Sequence, residues 1–127
     1  MAKHILNALV ENHAGILAKM AGLFARRGFN IDSLAVGITQ DPEISATTIV
    51  VDGDAATVEQ VQKQLSKLID VIEVKTLAPS CSVSRELSLI KVACTAKNRA
   101  EIMQIVDIFR ANIIDISDHA MIIELTV

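Results

Sequence analysis

Residues 3–11 alternate between two faces, with Leu6, Ala8 and Val10 on one and Ile5, Asn7 and Leu9 on the other. A period of two marks a half-buried strand. Over residues 14–27 the period lengthens. Ile16, Met20 and Leu23, then Leu17, Ala21 and Phe24, recur at helical spacing. Arg26 and Arg27 complement the dipole at the helix C-terminus, and Gly28 fits the left-handed residue that ends a helix. Residues 29–39 resume an extended pattern, and Gln40-Asp41-Pro42-Glu43 reads as a turn. Residues 44–52 set Ile44, Ala46, Thr48 and Val50 against Thr47, Ile49 and Val51, a β-branched strand. Gly53-Asp54 opens a second helix, predicted over 55–69 with Val58, Val61, Leu65 and Leu68 on one face, and 71–77 is a fourth strand. The order βαββαβ predicts an α+β, ferredoxin-like unit: four antiparallel strands with two helices on one face.

Residues 78–84 are small and polar, contain Pro79 and read as a linker. The pattern then starts again. Residues 85–95 are a strand. Asn98-Arg99-Ala100-Glu101 resembles a capping box, ahead of a helical stripe of Ile102, Ile105, Val106 and Phe109. Asn112 is placed to be the left-handed stop that Gly28 is in the first unit. Strands over 113–117 and 120–127 flank a turn at Asp118-His119. The expected organisation is therefore a first domain over 1–77, a linker over 78–84, and a second, incomplete ferredoxin-like βαββ unit over 85–127. Phe24…Ile31-Asp32 and Phe109…Ile114-Asp115 echo one another as a weak internal repeat. The second unit reads as truncated, and its half-sheet would need another chain to cover it.

Composition narrows the function. Half of the 127 residues are hydrophobic and the mean hydropathy is +0.43, so there is apolar material beyond what one core needs. The net charge is −3 without a basic run, and Tyr and Trp are missing. Both facts argue against nucleic acid, which calls for a clustered positive footprint and stacking aromatics. Cys81 and Cys94 are too far apart for a redox or metal pair, and nothing suggests the oxidising compartment a disulfide requires. Met1-Ala2-Lys3-His4 leads straight into a strand without a leader, and no apolar run spans a membrane. A cytoplasmic protein is expected. No catalytic constellation stands out. His4, His13 and His119 have no partners at metal-ligand spacing, and Ser80, Ser82 and Ser84 lie in a linker. Glu59 and Lys63 form a favourable i,i+4 pair on a solvated face.

One junction carries more information. Val10-Glu11-Asn12-His13-Ala14-Gly15-Ile16-Leu17 passes from the first strand into the first helix. The first turn of a helix has N–H groups without partners and the positive end of the dipole, so a small anion can dock there. Asn12 is a candidate N-cap, accepting from the N–H of residue 14 or 15. Gly15 would then lie in the first turn, where a missing Cβ lets a ligand come close. Two readings stay open on this segment: a capped helix whose glycine packs tightly, or a ligand site. Asn30, after Gly28-Phe29, is either a turn residue or a side chain able to donate and accept to a ligand.

Residues 3–77 resemble an ACT domain, a βαββαβ amino-acid sensor. The resemblance is closest to the regulatory (small) subunits of acetohydroxyacid synthase, also called acetolactate synthase. It rests on Leu9-Val10-Glu11-Asn12-His13-Ala14-Gly15-Ile16-Leu17 and on Gly22-Leu23-Phe24-Ala25-Arg26-Arg27-Gly28-Phe29-Asn30-Ile31-Asp32-Ser33-Leu34. It continues through Gln64 to Val71, Arg85 to Val92 and Ile108 to Ile116, nearly the whole chain. The resemblance implies a subunit with no catalytic site of its own. It would bind and activate a catalytic large subunit that carries thiamine diphosphate, Mg²⁺ and FAD, and confer feedback inhibition by valine, leucine or isoleucine. It further implies a homodimer or higher homo-oligomer, with the effector at the interface of two ACT domains. Carried over by position, Asn12, His13, Ala14, Gly15, Ile16 and Leu17 would come from one protomer and Asn30 and Ile31 from the other. In that arrangement the first-turn amides meet the effector carboxylate, Asn12 and Asn30 hold its ammonium, and Ile16 and Leu17 line an apolar pocket. The chain is shorter than the family's usual length. A stand-alone ACT-type sensor of another enzyme is the alternative. An acylphosphatase-like enzyme on the same topology is disfavoured, because Glu11-Asn12-His13-Ala14 offers no Arg to cradle phosphate.

Overall fold

The computed structural model describes residues 3–127; Met1 and Ala2, on which the expected absence of a leader partly rests, lie outside the described residues. The chain divides into two compact units, the first ending at Ser82 and the second beginning at Val83. In the first, β1 (Lys3–Glu11), α1 (Ile16–Arg27), β2 (Ile31–Ile38), β3 (Ile44–Asp52), α2 (Ala55–Ser66) and β4 (Val71–Leu77) follow the expected βαββαβ order. The sheet runs β2-β3-β1-β4 with every neighbour antiparallel.

Period-two patterning decides which side of this sheet is covered. Leu6, Ala8 and Val10 of β1 and Ile49 and Val51 of β3 are buried with Ile16, Met20, Leu23 and Phe24 of α1 and Val58, Val61 and Leu65 of α2. Burying these side chains is the main stabilisation of the unit, at roughly 1.5–3 kcal/mol for each large one. β2 is an edge strand paired through β3 alone among the described strands. Leu34, Val36 and Ile38 sit opposite Ile49, Thr47 and Ser45, on the helix side. Leu34 packs on the core, whereas Val36 and Ile38 stay exposed.

Both ends of α1 are set by left-handed residues. Gly28 has φ 68°, the Gly28 N–H donates to Ala25 O, and the Phe29 N–H donates to Phe24 O at 3.2 Å. This is the closure expected when glycine follows the last turn. α2 opens as the pattern predicts, with Asp54 Oδ1 accepting from the Thr57 N–H at 2.8 Å. It ends earlier than the predicted 55–69. The last helical residue is Ser66, and 67–70 form a bend in which Leu68 packs on the core while Ile69 points to solvent. The Glu59–Lys63 pair forms at 3.0 Å on the exposed side of α2.

After a short 3₁₀ turn over Pro79–Cys81 within the predicted linker, the second unit holds β5 (Leu87–Ala93), α3 (Arg99–Ile108), β6 (Asn112–Ile116) and β7 (Ala120–Thr126). Its sheet runs β5-β7-β6, the first three strands of the same plan. Met121, Ile123, Val106 and Cys94 are buried, while Leu87, Leu89, Ile108, Phe109 and Ile116 are exposed.

Two expectations fail in this unit. Asn98 does not form a capping box, because its Oδ1 turns back to accept from the Thr95 N–H at 2.6 Å and no side chain caps α3. Asn112 is not the left-handed stop. Arg110 takes that role with φ 55°, the Ala111 N–H closes onto Val106 O at 3.0 Å, and Asn112 is already in β6 opposite Glu124. The helix stops earlier than its apolar stripe suggests, which moves the left-handed residue to Arg110.

Leu65 is fully buried between α2 and the sheet. Leu65→Ala is expected to destabilise the first unit by about 3 kcal/mol, through lost transfer free energy and a residual cavity. The check is the urea midpoint of unfolding; an unchanged midpoint would contradict this packing.

Candidate functional site

Glu11 ends β1 with its N–H on Asp70 O at 2.8 Å, and the next residue donates its N–H to Glu43 O at 2.7 Å. Residues 12–15 then turn into α1. Asn12 is not the N-cap the sequence predicts. Its Nδ2 donates to Pro42 O at 2.9 Å, tying the loop to the β2–β3 turn. The N-cap is Gly15, at φ 91° and ψ −10°, with no side-chain capping bond. Gly15 therefore stands just before the first turn rather than in it. A Cβ there would meet nothing within 4 Å. The glycine is required by its left-handed backbone and not by crowding, and the space over it is open to a ligand.

The start of α1 keeps its donors available. The Ile16 N–H reaches His13 O only at 3.5 Å, and the Lys19 N–H bonds Gly15 O at 3.0 Å. Among the described residues the N–H groups of Gly15, Leu17 and Ala18 have no acceptor within the chain. Such amides, together with the dipole, favour an anion at this position. Side chains divide differently from the expectation. Ile16 is 7% exposed and packs into the core, so it offers a backbone amide and not a pocket wall, whereas Leu17 is 47% exposed beside the open turn.

One residue that the pattern did not single out organises this end of the helix. Asp70, 6% exposed, sits after the early stop of α2. Its Oδ1 accepts from His13 Nε2 at 2.8 Å and its Oδ2 from Lys19 Nζ at 2.7 Å. His13 Nδ1 faces Ala14 O at 3.0 Å, and Glu11 lies 3.9 Å from His13 Nε2. The bonds from Lys19 and then His13 hold the Asp70 carboxyl below the usual carboxylate range. The Ala14 carbonyl, and after it Asp70, raises His13 above its ordinary value. Glu11, His13 and Asp70 each bring one donor atom within 4.8 Å of the others. The cation on Asp70 is nonetheless the Lys19 ammonium, so the group reads as an ion network between β1, α1 and the α2–β4 bend. Nothing in the sequence pattern marks Asp70; its role depends on where α2 stops.

Asn12, His13, Ala14, Gly15, Ile16 and Leu17 are thus brought together at one end of α1. Asn30 and Ile31 are not with them. Asn30 precedes β2 and Ile31 opens it, beyond the C-terminus of the same helix, which for a helix of 12 residues is about 18 Å away. Asn30 is exposed and its carbonyl accepts from the Asp52 N–H, while Ile31 packs partly against the core.

Comparison with known proteins agrees with this fold and chain plan. Residues 6–73 match the family described as AHAS small subunit-like ACT domain, and residues 85–127 match the family described as small subunit of acetolactate synthase. A probable acetolactate synthase small subunit from Archaeoglobus fulgidus is 53% identical over 98% of this chain and 77% of its own length. The acetolactate synthase small subunit of Mycobacterium avium is 50% identical over 97% of this chain and 74% of its own. Among solved structures, the acetolactate synthase small subunit from Thermotoga maritima superposes with a TM-score of 0.90 at 44% identity, over 99% of this chain and 79% of that one. The ACT domain of a GTP pyrophosphokinase from Chlorobium tepidum, at 15% identity and a TM-score of 0.52, shares the fold alone. With both units matched and half of all residues identical to those of curated relatives, the chain belongs to the family of acetolactate synthase small subunits and carries that family's ACT domain.

Proposed function

We propose that this chain is the regulatory subunit of a cytoplasmic acetolactate synthase: it binds and activates the catalytic large subunit and makes it sensitive to feedback by valine or a related branched-chain amino acid. Thiamine diphosphate, Mg²⁺ and FAD belong to the large subunit in this reading. The observation that carries the effector site is the open start of α1. Gly15 is held left-handed over free space, and the amides of Gly15, Leu17 and Ala18 have no acceptor among the described residues. The effector carboxylate takes these amides, and Leu17 lies against its aliphatic side chain. Asn12 Nδ2 is engaged with Pro42, which leaves its Oδ1 for the ammonium.

Pairing through β2 supports a dimer and explains the distance to Asn30. β2 has a free edge, with Val36 and Ile38 exposed beside it. Antiparallel pairing of β2 with β2 of a second copy sets the start of one strand beside the end of the other. Ile38 lies at the same end of the sheet as Glu11, since both are next to the start of β3. Asn30 and Ile31 of the second copy then approach the 12–15 loop, and the site is completed between protomers. The first unit, residues 1–77 with the linker behind it, is the sensing and pairing domain, and residues 85–127 are part of the second. An effector shared by two chains favours the paired state by mass action. A coupling of about 1–3 kcal/mol between that state and the large subunit gives a regulatory response.

Titration calorimetry with valine, leucine and isoleucine tests the site, and inhibition of the reconstituted two-subunit enzyme tests the regulation. Saturable heat from at least one of the three is expected, and none from any of them would refute the reading. Gly15→Asp is expected to abolish effector binding, because it forces a side chain into the left-handed region and puts a carboxylate where the ligand's must dock. Undiminished valine affinity in that variant would remove the site from this loop. Asn12→Ala is expected to weaken valine about tenfold by loss of one polar contact, with helix content by circular dichroism unchanged, since Asn12 does not cap α1.

A further inference from the structure

His13 is held by acceptors at both ring nitrogens. Nδ1 faces the Ala14 carbonyl at 3.0 Å and Nε2 faces Asp70 Oδ1 at 2.8 Å, with Glu11 Oε2 at 3.9 Å from the same nitrogen. A carbonyl and a carboxylate cannot donate, and a neutral imidazole has one N–H. Only the imidazolium satisfies both contacts. The groups that face it come from each neighbouring element: Glu11 from β1, Asp70 from the α2–β4 bend, and Lys19 of α1 through Asp70. With His13 charged, these four side chains carry two positive and two negative charges. With His13 neutral, the group is left with one net negative charge, two residues from the Gly15 N-cap.

We propose that His13 and Asp70 form a proton-operated latch on the effector site, which holds the 12–15 loop in its binding geometry at low pH and releases it as the imidazolium loses its proton. The proposal rests on the effector reading of the loop. Two effects act in the same direction. The imidazolium adds a positive charge beside the amides that meet the effector carboxylate. Its Nδ1–H also holds the Ala14 carbonyl, and a neutral ring bonded to Asp70 would set a lone pair against that carbonyl. Asp70 is a positioning residue here: it acts through His13 and Lys19 rather than by touching the ligand. The sign follows from the shift. His13 titrates above its ordinary 6.5, raised first by Ala14 and then by Asp70. The latch is therefore closed below that raised value and opens as pH rises through it. Feedback by the amino acid is strongest when the compartment is acidic and relaxes towards alkaline pH.

Valine affinity of the full chain, measured by calorimetry from about pH 6 to about pH 8.5, spans the titration of a raised histidine. The expected result is a loss of about fivefold or more across that range, abolished in His13→Gln, which keeps one N–H for Asp70 but cannot titrate. A wild-type affinity as flat as that of His13→Gln, or an equal slope in both, overturns the latch and leaves the effector site standing. The absence of binding heat from valine, leucine and isoleucine at every pH in both proteins overturns the effector reading itself. Ring-nitrogen NMR of His13 without valine gives a second readout. Its midpoint is expected above the ordinary value in the wild type and lower in Asp70→Asn. An unshifted midpoint in the wild type overturns the proposal whether or not the Asp70 variant folds.

Discussion

Everything at the candidate site hangs on the Asp70 carboxylate. A buried carboxylate is costly unless it is paired and hydrogen-bonded. This one meets that demand with two donors from α1 and its approach, the Lys19 ammonium and the His13 ring. Its main chain does the same for β1, where the Asp70 carbonyl receives the Glu11 N–H. The bend after α2, the end of β1 and the first turn of α1 are thus fastened at one point.

The loop is fastened on its other side by Asn12, whose amide group reaches the β2–β3 turn at Pro42. Between these two anchors the chain must reverse and begin a helix within three residues. Gly15 makes that possible by adopting φ 91°. A polar side-chain cap would occupy the very amides that a ligand needs. A glycine N-cap leaves them vacant, so the feature that weakens the helix locally is also the one on which the proposed effector site rests. The same helix separates the two groups of residues proposed for the site, with residues 12–17 at one end and Asn30 at the other. In the proposed arrangement a second copy brings Asn30 to residues 12–17.

The second unit repeats the plan with a smaller core. β5, β7 and β6 correspond in order to β1, β3 and β2, and α3 stops by the same backbone closure as α1, with Arg110 in place of a glycine. Ile90, opposite the buried Ile123, remains exposed, as do Ile108 and Phe109 at the end of α3. The helical stripe of α3 was visible as periodicity, but periodicity does not say whether anything lies against it.

Most of the architecture was legible in local chemistry. Alternation in β1 and β3, the stripes of α1 and α2, and Gly28 after Arg26-Arg27 each depend on neighbours within a few residues, and each appears where the pattern puts it. The wording around Asn12 and Gly15 also marked the start of α1 as the place to look. What the side chains do there was decided by contacts far apart in sequence. Asn12 bonds to Pro42, thirty residues on, and His13 to Asp70, fifty-seven residues on, so neither could be assigned from its own segment. Asn98, which stands at the N-cap of α3 without a capping bond, and Asn112 depart from the pattern for a related reason. Asparagine suits a cap, a stop or a turn equally well, and only the packed backbone selects among them. Local periodicity determines the elements because it depends on nearest neighbours along the chain. The site was left to the tertiary structure because hydrogen bonds and ion pairs depend on which distant atoms folding brings within three ångströms.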